Sequence, residues 1–371
     1  MMKKLLSVVC CITLAVTMLT ACGSGSGENA GNASGSNYPK MTLVCAGLDR
    51  ADTAKAHDLE IFMNLVTKKS GGQITFKKYW NASLGKAPTN LDIIRNGIAD
   101  VGTVCTLYTP SQLPLSQITY CVPFAPDDPA LAAQLMYEVA EKHPEFYREY
   151  EKNNVVNVAW KGNEPYKLYS KKPITSIDQL KGTKITMGGV YYIPWFQSIG
   201  TVPVTAAASE LYQTVKTGVA KGSFVYDSIF CDFKLYEVMK YDYRISLGAR
   251  NCDTICFNKD RWDSFDKKTQ KLMRDCATEA MGEFQDWQDK EMVGWEKEMK
   301  TNGVKFTDIT SSDKRKFAKK ALDYNDTLES WINDANAAGY NGKQIMSDYL
   351  KGGEKLGYKW SFDTSKYIID K

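Results

Sequence analysis

Histidine is nearly missing from this 371-residue chain, which has only two, His57 and His143. Neither belongs to an H-E-x-x-H pair or stands beside a plausible nucleophile, so general-base and zinc-hydrolase chemistry lack their usual donor. No G-x-S-x-G elbow and no Walker loop occurs. The glycine-rich run Gly23-Ser24-Gly25-Ser26-Gly27 does not join a strand to a helix and makes no phosphate cradle. Apolar runs beyond residues 5–18 are too short to cross a bilayer, and so is that run itself. Charge of one sign is scarce as well. The net charge is +4, and Lys3 and Lys4 supply two of it, which leaves no nucleic-acid footprint. The lysines at 314–320 read as a solvated helix face. These absences argue against an enzyme and against a bound cofactor.

Cysteine, by contrast, is plentiful at ten. Cys10 and Cys11 lie in the leader, and Cys22 follows it. The seven that remain cannot all pair within one chain. Cys45, Cys105 and Cys121 stand in apolar contexts that read as β, where a thiol behaves as a small buried hydrophobe. Cys252-x3-Cys256 has no second Cys or His pair beside it, so no metal site is expected.

The first residues carry an address. Lys3 and Lys4 precede the apolar run, which ends in Leu19-Thr20-Ala21-Cys22. A basic start, a short apolar stretch and small residues before the cut make a secretory signal. Leu-Thr-Ala-Cys also fits the lipobox of bacterial lipoproteins. Residues 1–21 are therefore expected to be removed, Cys22 to be lipidated, and 23–37 to form a flexible tether. The body would then work outside the cytoplasm, anchored by lipid to the cell membrane.

Beyond the tether, strands and helices alternate. Strands are expected at 40–46, 73–79 and 100–105, with helices at 53–70 and 90–96 between them. A single helix is expected at 131–150, and a strand at 154–160. The alternation indicates an open α/β sheet. Further on, 176–180 reads as a short helix, 183–187 as a strand and 210–217 as a helix capped by Ser209. Met273, Cys276, Ala280, Phe284 and Trp287 give one long helix an apolar face. Two helices are expected after Gly303, one over 312–337 and one after Gly342.

The segment 173–222 closely resembles the signature of the solute-binding proteins of TRAP transporters, importers driven by ion gradients. Leu180, Lys181, Gly182, Lys184, Ile185, Gly200, Pro203, Glu210, Tyr212, Gly218 and Gly222 match its scaffold positions. Leu84-Gly85, Asn96-Gly97 with Asp100, Pro123-Phe124 before Asp127-Asp128, and Tyr236-Glu237-Val238 match further landmarks. The resemblance covers about 38–300. It implies a two-lobed fold like the type II periplasmic binding proteins, with a long helix bridging both lobes. Lobe I would comprise 38–164 plus about 251–292, and lobe II 165–250 plus about 293–371. It also implies capture of a small organic solute between the lobes and delivery to a membrane permease. A ligand sensor of the same fold is the alternative.

The ligand-facing positions depart from the family. Where it carries an Arg that grips a carboxylate, this chain has Thr186. Its Asn becomes Val225 beside Phe224, an aromatic becomes Ala208, and two positions after strands become Cys45 and Cys105. A second family Arg falls at Tyr166 or Lys167. Tyr191, Tyr192, Trp195 and Tyr226 add aromatic surface. Cys45, Cys105, Lys167, Thr186, Trp195, Ala208, Phe224 and Val225 are thus the expected ligand-binding residues. The solute is expected to be neutral or aromatic, or an acid held by Lys167 or Arg250, rather than a typical dicarboxylate.

Overall fold

The structure, a computed structural model, describes residues 37–369; the leader, Cys22 and the tether lie outside the described residues. The described residues belong to one compact unit. Its first half runs β1 (Met41–Ala46), α1 (Ala54–Lys69), β2 (Ile74–Tyr79), α2 (Asn90–Arg95), β3 (Val101–Cys105), α3 (Ile118–Cys121), α4 (Pro129–Lys142), α5 (Glu145–Glu151) and β4 (Val155–Asn163). The chain then builds β5 (Lys167–Ser170), β6 (Lys184–Thr186), α6 (Tyr192–Ser198), β7 (Val202–Val204), α7 (Leu211–Lys216), β8 (Gly222–Val225), α8 (Asp227–Asp232) and β9 (Tyr241–Arg244). It ends with β10 (Arg250–Asn258), α9 (Lys259–Asp263), α10 (Lys267–Thr301), β11 (Lys305–Asp308), α11 (Ser311–Tyr324), α12 (Thr327–Ala337) and α13 (Gly342–Lys355).

Two sheets organise the body. The first has the order β2-β1-β3-β10-β4 and the second β11-β9-β5-β8-β6-β7. Each is the centre of a lobe. The chain crosses between them from β4 to β5 and returns from β9 to β10, and β4 and β10 lie side by side, antiparallel. The two adjacent crossing segments, 164–166 and 245–249, stand where a hinge between the lobes would lie. The 35-residue α10 accompanies the hinge: Met273, Cys276 and Ala280 pack with α1 under the first sheet, while Trp295 and Met299 pack under the second. The expected bridging helix is present.

Three boundaries differ from the sequence reading, each for a local reason. The helix expected over 131–150 is two, because Pro144 has no N–H to continue the ladder and the residue before a proline leaves the helical region. The helix expected over 312–337 also splits, because Asp326 turns its carboxylate onto the N–H of Glu329 and caps α12. Ser209 caps nothing. It lies within a short turn at Ala208–Glu210, and Glu210 instead accepts the N–H of Ala207. Cys121, read as β, ends the short α3 and is buried. Cys45, Cys105, Cys121, Cys231, Cys256 and Cys276 are buried and form no disulfide with one another.

The C-terminal helices cover both lobes. α11 packs on α6 of lobe II, while α12 and α13 pack on α3 and α4 of lobe I. One hydroxyl ties the three layers: Thr327 Oγ1 accepts the indole N–H of Trp195 at 2.9 Å and donates to the carbonyl of Cys121 at 2.6 Å. Among the described residues no helix is long and apolar enough to cross a membrane.

Candidate solute-binding cleft

The lobes meet where β1 and β3 end on one side and β6 and β8 end on the other, the usual ligand position for open α/β sheets. Asp253 of β10 lies opposite both Cys105 of β3 and Lys161 of β4, so the three form one row on the face covered by α1 and α10. Lys55, second residue of α1, places its Nζ 3.0 Å from Asp253 Oδ2. Lys161 Nζ stands 3.4 Å from Asp58 Oδ1 and 4.0 Å from the same oxygen of Asp253, and 4.6 Å from the ring centroid of Phe284 on α10. Burial would raise the Asp253 carboxyl, but Lys55 and Lys161 together hold it below its ordinary range. For Asp58 the balance goes the other way: burial outweighs Lys161 and pushes it up.

Lobe II answers with aromatics. Tyr226, the residue after β8, presents its ring 5.4 Å from Lys55 Nζ. Tyr166 lies against it at 4.1 Å, with Phe224 at 5.0 Å and Tyr192 at 5.2 Å beyond. Two further contacts close the seam. Asp232 of α8 accepts the N–H of Ala54, at the start of α1, at 3.3 Å. Gly189, with φ +90, approaches Leu107 so closely that a Cβ there would stand 2.7 Å from Leu107 Cδ1.

The expected site residues divide. Cys105 belongs to the charged row. Cys45 faces the core with Leu43 and Phe62, and burial pushes its thiol far up. Thr186 is fully buried and donates to Ser223 Oγ at 2.7 Å, so its hydroxyl is engaged with the neighbouring strand. Trp195 points to α12 through the bond to Thr327. Phe224 stacks under Tyr166, and Val225 belongs to the core beneath α8 and α10. Ala208 is half-buried in its turn. Lys167 pairs with Asp227 at 2.5 Å and lines a groove of about 510 Å³ with Asp289, Met292 and Glu296 of α10. Arg250 is entirely buried and spends its donors on Tyr192 Oη at 2.7 Å and on the carbonyls of Ala249, Val122 and Leu247. It braces the hinge return against both lobes.

Sequence reasoning passed over Lys55, Asp58, Lys161 and Asp253. A signal was there: Lys161 and Asp253 each adjoin the apolar run of a buried strand, where an unpaired charge is costly.

The model of the bacterial extracellular solute-binding proteins, family 7, matches residues 47–329. The chain belongs to this family. It is a TRAP-type solute-binding protein, a transport receptor and not an enzyme. A solute-binding protein of Chromohalobacter salexigens is 25% identical over 267 residues, covering 71% of this chain and 77% of that one. Two solved structures share the fold. A TRAP periplasmic solute-binding protein from Sulfitobacter sp. NAS-14.1 with bound β-D-galacturonate gives a TM-score of 0.72 at 21% identity, covering 84% of this chain and 100% of that one. A Bordetella pertussis extracytoplasmic solute receptor binding pyroglutamic acid gives 0.75 at 20% identity, with the same coverage.

Proposed function

We propose that this TRAP-type protein, anchored by lipid on Cys22, captures a small organic acid between its lobes outside the cytoplasm and hands it to a membrane permease. The observation that carries the choice of an acid is the row of Lys55, Asp253 and Lys161 facing the Tyr226–Tyr166 wall at the hinge. Cations opposite aromatic faces suit an acid with a ring, and the two solved relatives hold a uronic acid and pyroglutamic acid. Loss of the family Arg at Thr186 therefore changes how the acid is held rather than removing the acid.

The test is a thermal-shift screen of residues 37–371 with galacturonate, glucuronate, pyroglutamate and orotate beside neutral sugars, amides and nucleosides. A ligand that binds only the folded state adds about 2.7 kcal/mol at a hundredfold excess over Kd. Stabilisation by acids and not by their neutral counterparts is expected; no response across the panel would remove this reading. Anchoring is checked by palmitate labelling of the full chain, which Cys22→Ala should abolish.

A further inference from the structure

We propose that Lys55, reaching from lobe I, is the cation that meets the solute's carboxylate in this protein, and that Asp253 holds its ammonium in position. The proposal rests on the reading of the cleft as a solute site, and it names the specificity residue of that site. In the family resemblance the carboxylate is gripped from lobe II, at the position of Thr186. Here that position ends in a hydroxyl bonded to Ser223 and fully buried. Lys55 is paired too, with Asp253, so what separates the cations near the hinge is where each one faces: Lys167 lines the groove against α10, while Lys55 faces Tyr226. Arg250 is bound to Tyr192 and three carbonyls, and Lys167 lies on Asp227. The Lys161 side chain is 2% exposed beneath Phe284, against 17% for Lys55.

Lys55 also stands at the right place. It is in the first turn of the 16-residue α1, whose opening N–H already holds a carboxylate of the opposite lobe, that of Asp232. The positive end of the helix dipole therefore faces lobe II and adds to the ammonium. Across the seam stands Tyr226, next in sequence to Val225, where the resemblance places a ligand residue. A carboxylate on Lys55 would set an attached ring against Tyr226 and Tyr166. Lys161, behind Asp253, adds a second positive charge to the row, and burial disfavours the charged forms of Asp58 and Asp49, the other carboxyls beside these lysines. A flat or cyclic monocarboxylate matches this arrangement better than a dicarboxylate, since one lysine head faces the aromatic wall.

Isothermal titration of the mature chain with glucuronate, pyroglutamate and orotate, each against a neutral counterpart, tests the assignment. Lys55→Gln should weaken the acid that the wild type binds by about ten- to a hundredfold. Lys55→Arg should recover most of that affinity. Asp253→Asn should lower the ratio of acid to neutral affinity, which a purely structural role would leave alone. Lys55→Met, which keeps the apolar stem, replaces the Gln variant should that one fail to fold. Acid affinity kept within about threefold in Lys55→Gln, or lost in Lys167→Gln instead, would overturn the assignment. A wild type that binds only neutral solutes overturns Lys55 while leaving solute capture standing; one that binds nothing overturns the function itself.

Discussion

Glu164 stands where the chain leaves lobe I, buried, with its carboxylate accepting the N–H of Ser228 at 2.9 Å. Burial, and then the like charge of Asp227, push its pKa up to about 7. A raised acid binds its proton more tightly in the folded state than in the unfolded one. Its contribution to stability is therefore complete below the ordinary value of 4.5 and is lost as pH climbs through about 7. The loss from this group is on the order of 3 kcal/mol at most. Asp242, pushed up to about 7, and Asp232, pushed up to about 6, act with the same sign. The melting temperature should fall as pH rises from about 4.5 to about 7, and Glu164→Gln, which keeps an acceptor for Ser228, should flatten the fall. An unchanged slope in that variant would place the proton elsewhere. This residue also shows the limit of the sequence. Glu164 follows Asn163 in a polar-looking stretch, and only the return of α8 against it makes the position dry.

Among the elements, α10 was the most legible, because one face repeats apolar residues over many turns while the other stays charged. The strands of lobe I were legible for the related reason that Gly71, Gly72 and Gly97 punctuate them. Lysines and aspartates that meet from α1, β4 and β10 were not, since no local pattern records which strands become neighbours in a sheet. Two glycines inside α10 lead to a prediction. A Cβ at Gly282 would meet nothing within 4 Å, and one at Gly294 only Glu291 Oε2 at 3.8 Å. Each costs helix stability relative to alanine without filling a packing need, about 0.5–1 kcal/mol apiece. The double variant Gly282→Ala, Gly294→Ala should therefore raise the denaturation midpoint by the sum of the two. If solute affinity falls at the same time, α10 bends at these glycines during closure, and their cost has a function.

Across the whole molecule, opening and closing are set by what spans the seam. The two crossing segments, α10 and the C-terminal helices all bridge the lobes and would remain bonded through a small rotation. The contacts that an opening must break include the Asp232–Ala54 bond, the approach of Leu107 to Gly189 and the stacking of Lys55 on Tyr226. A receptor of this kind gains affinity from closure, because the apparent dissociation constant is the intrinsic one divided by the populated fraction of the competent state. Asp232→Ala removes the acceptor at the start of α1, leaves the hinge bonds in place and should lower that fraction. A charge-assisted bond of this type contributes about 1.5–3 kcal/mol, but Asp232 is only partly buried and near Arg50, so the lower end applies. Solute affinity is then expected to fall by about tenfold, with a larger radius of gyration by small-angle scattering for the solute-free variant. Affinity lost without any change in radius would mean that Asp232 acts on Lys55 through the first turn of α1. An unchanged affinity would mean that closure is driven by the solute alone.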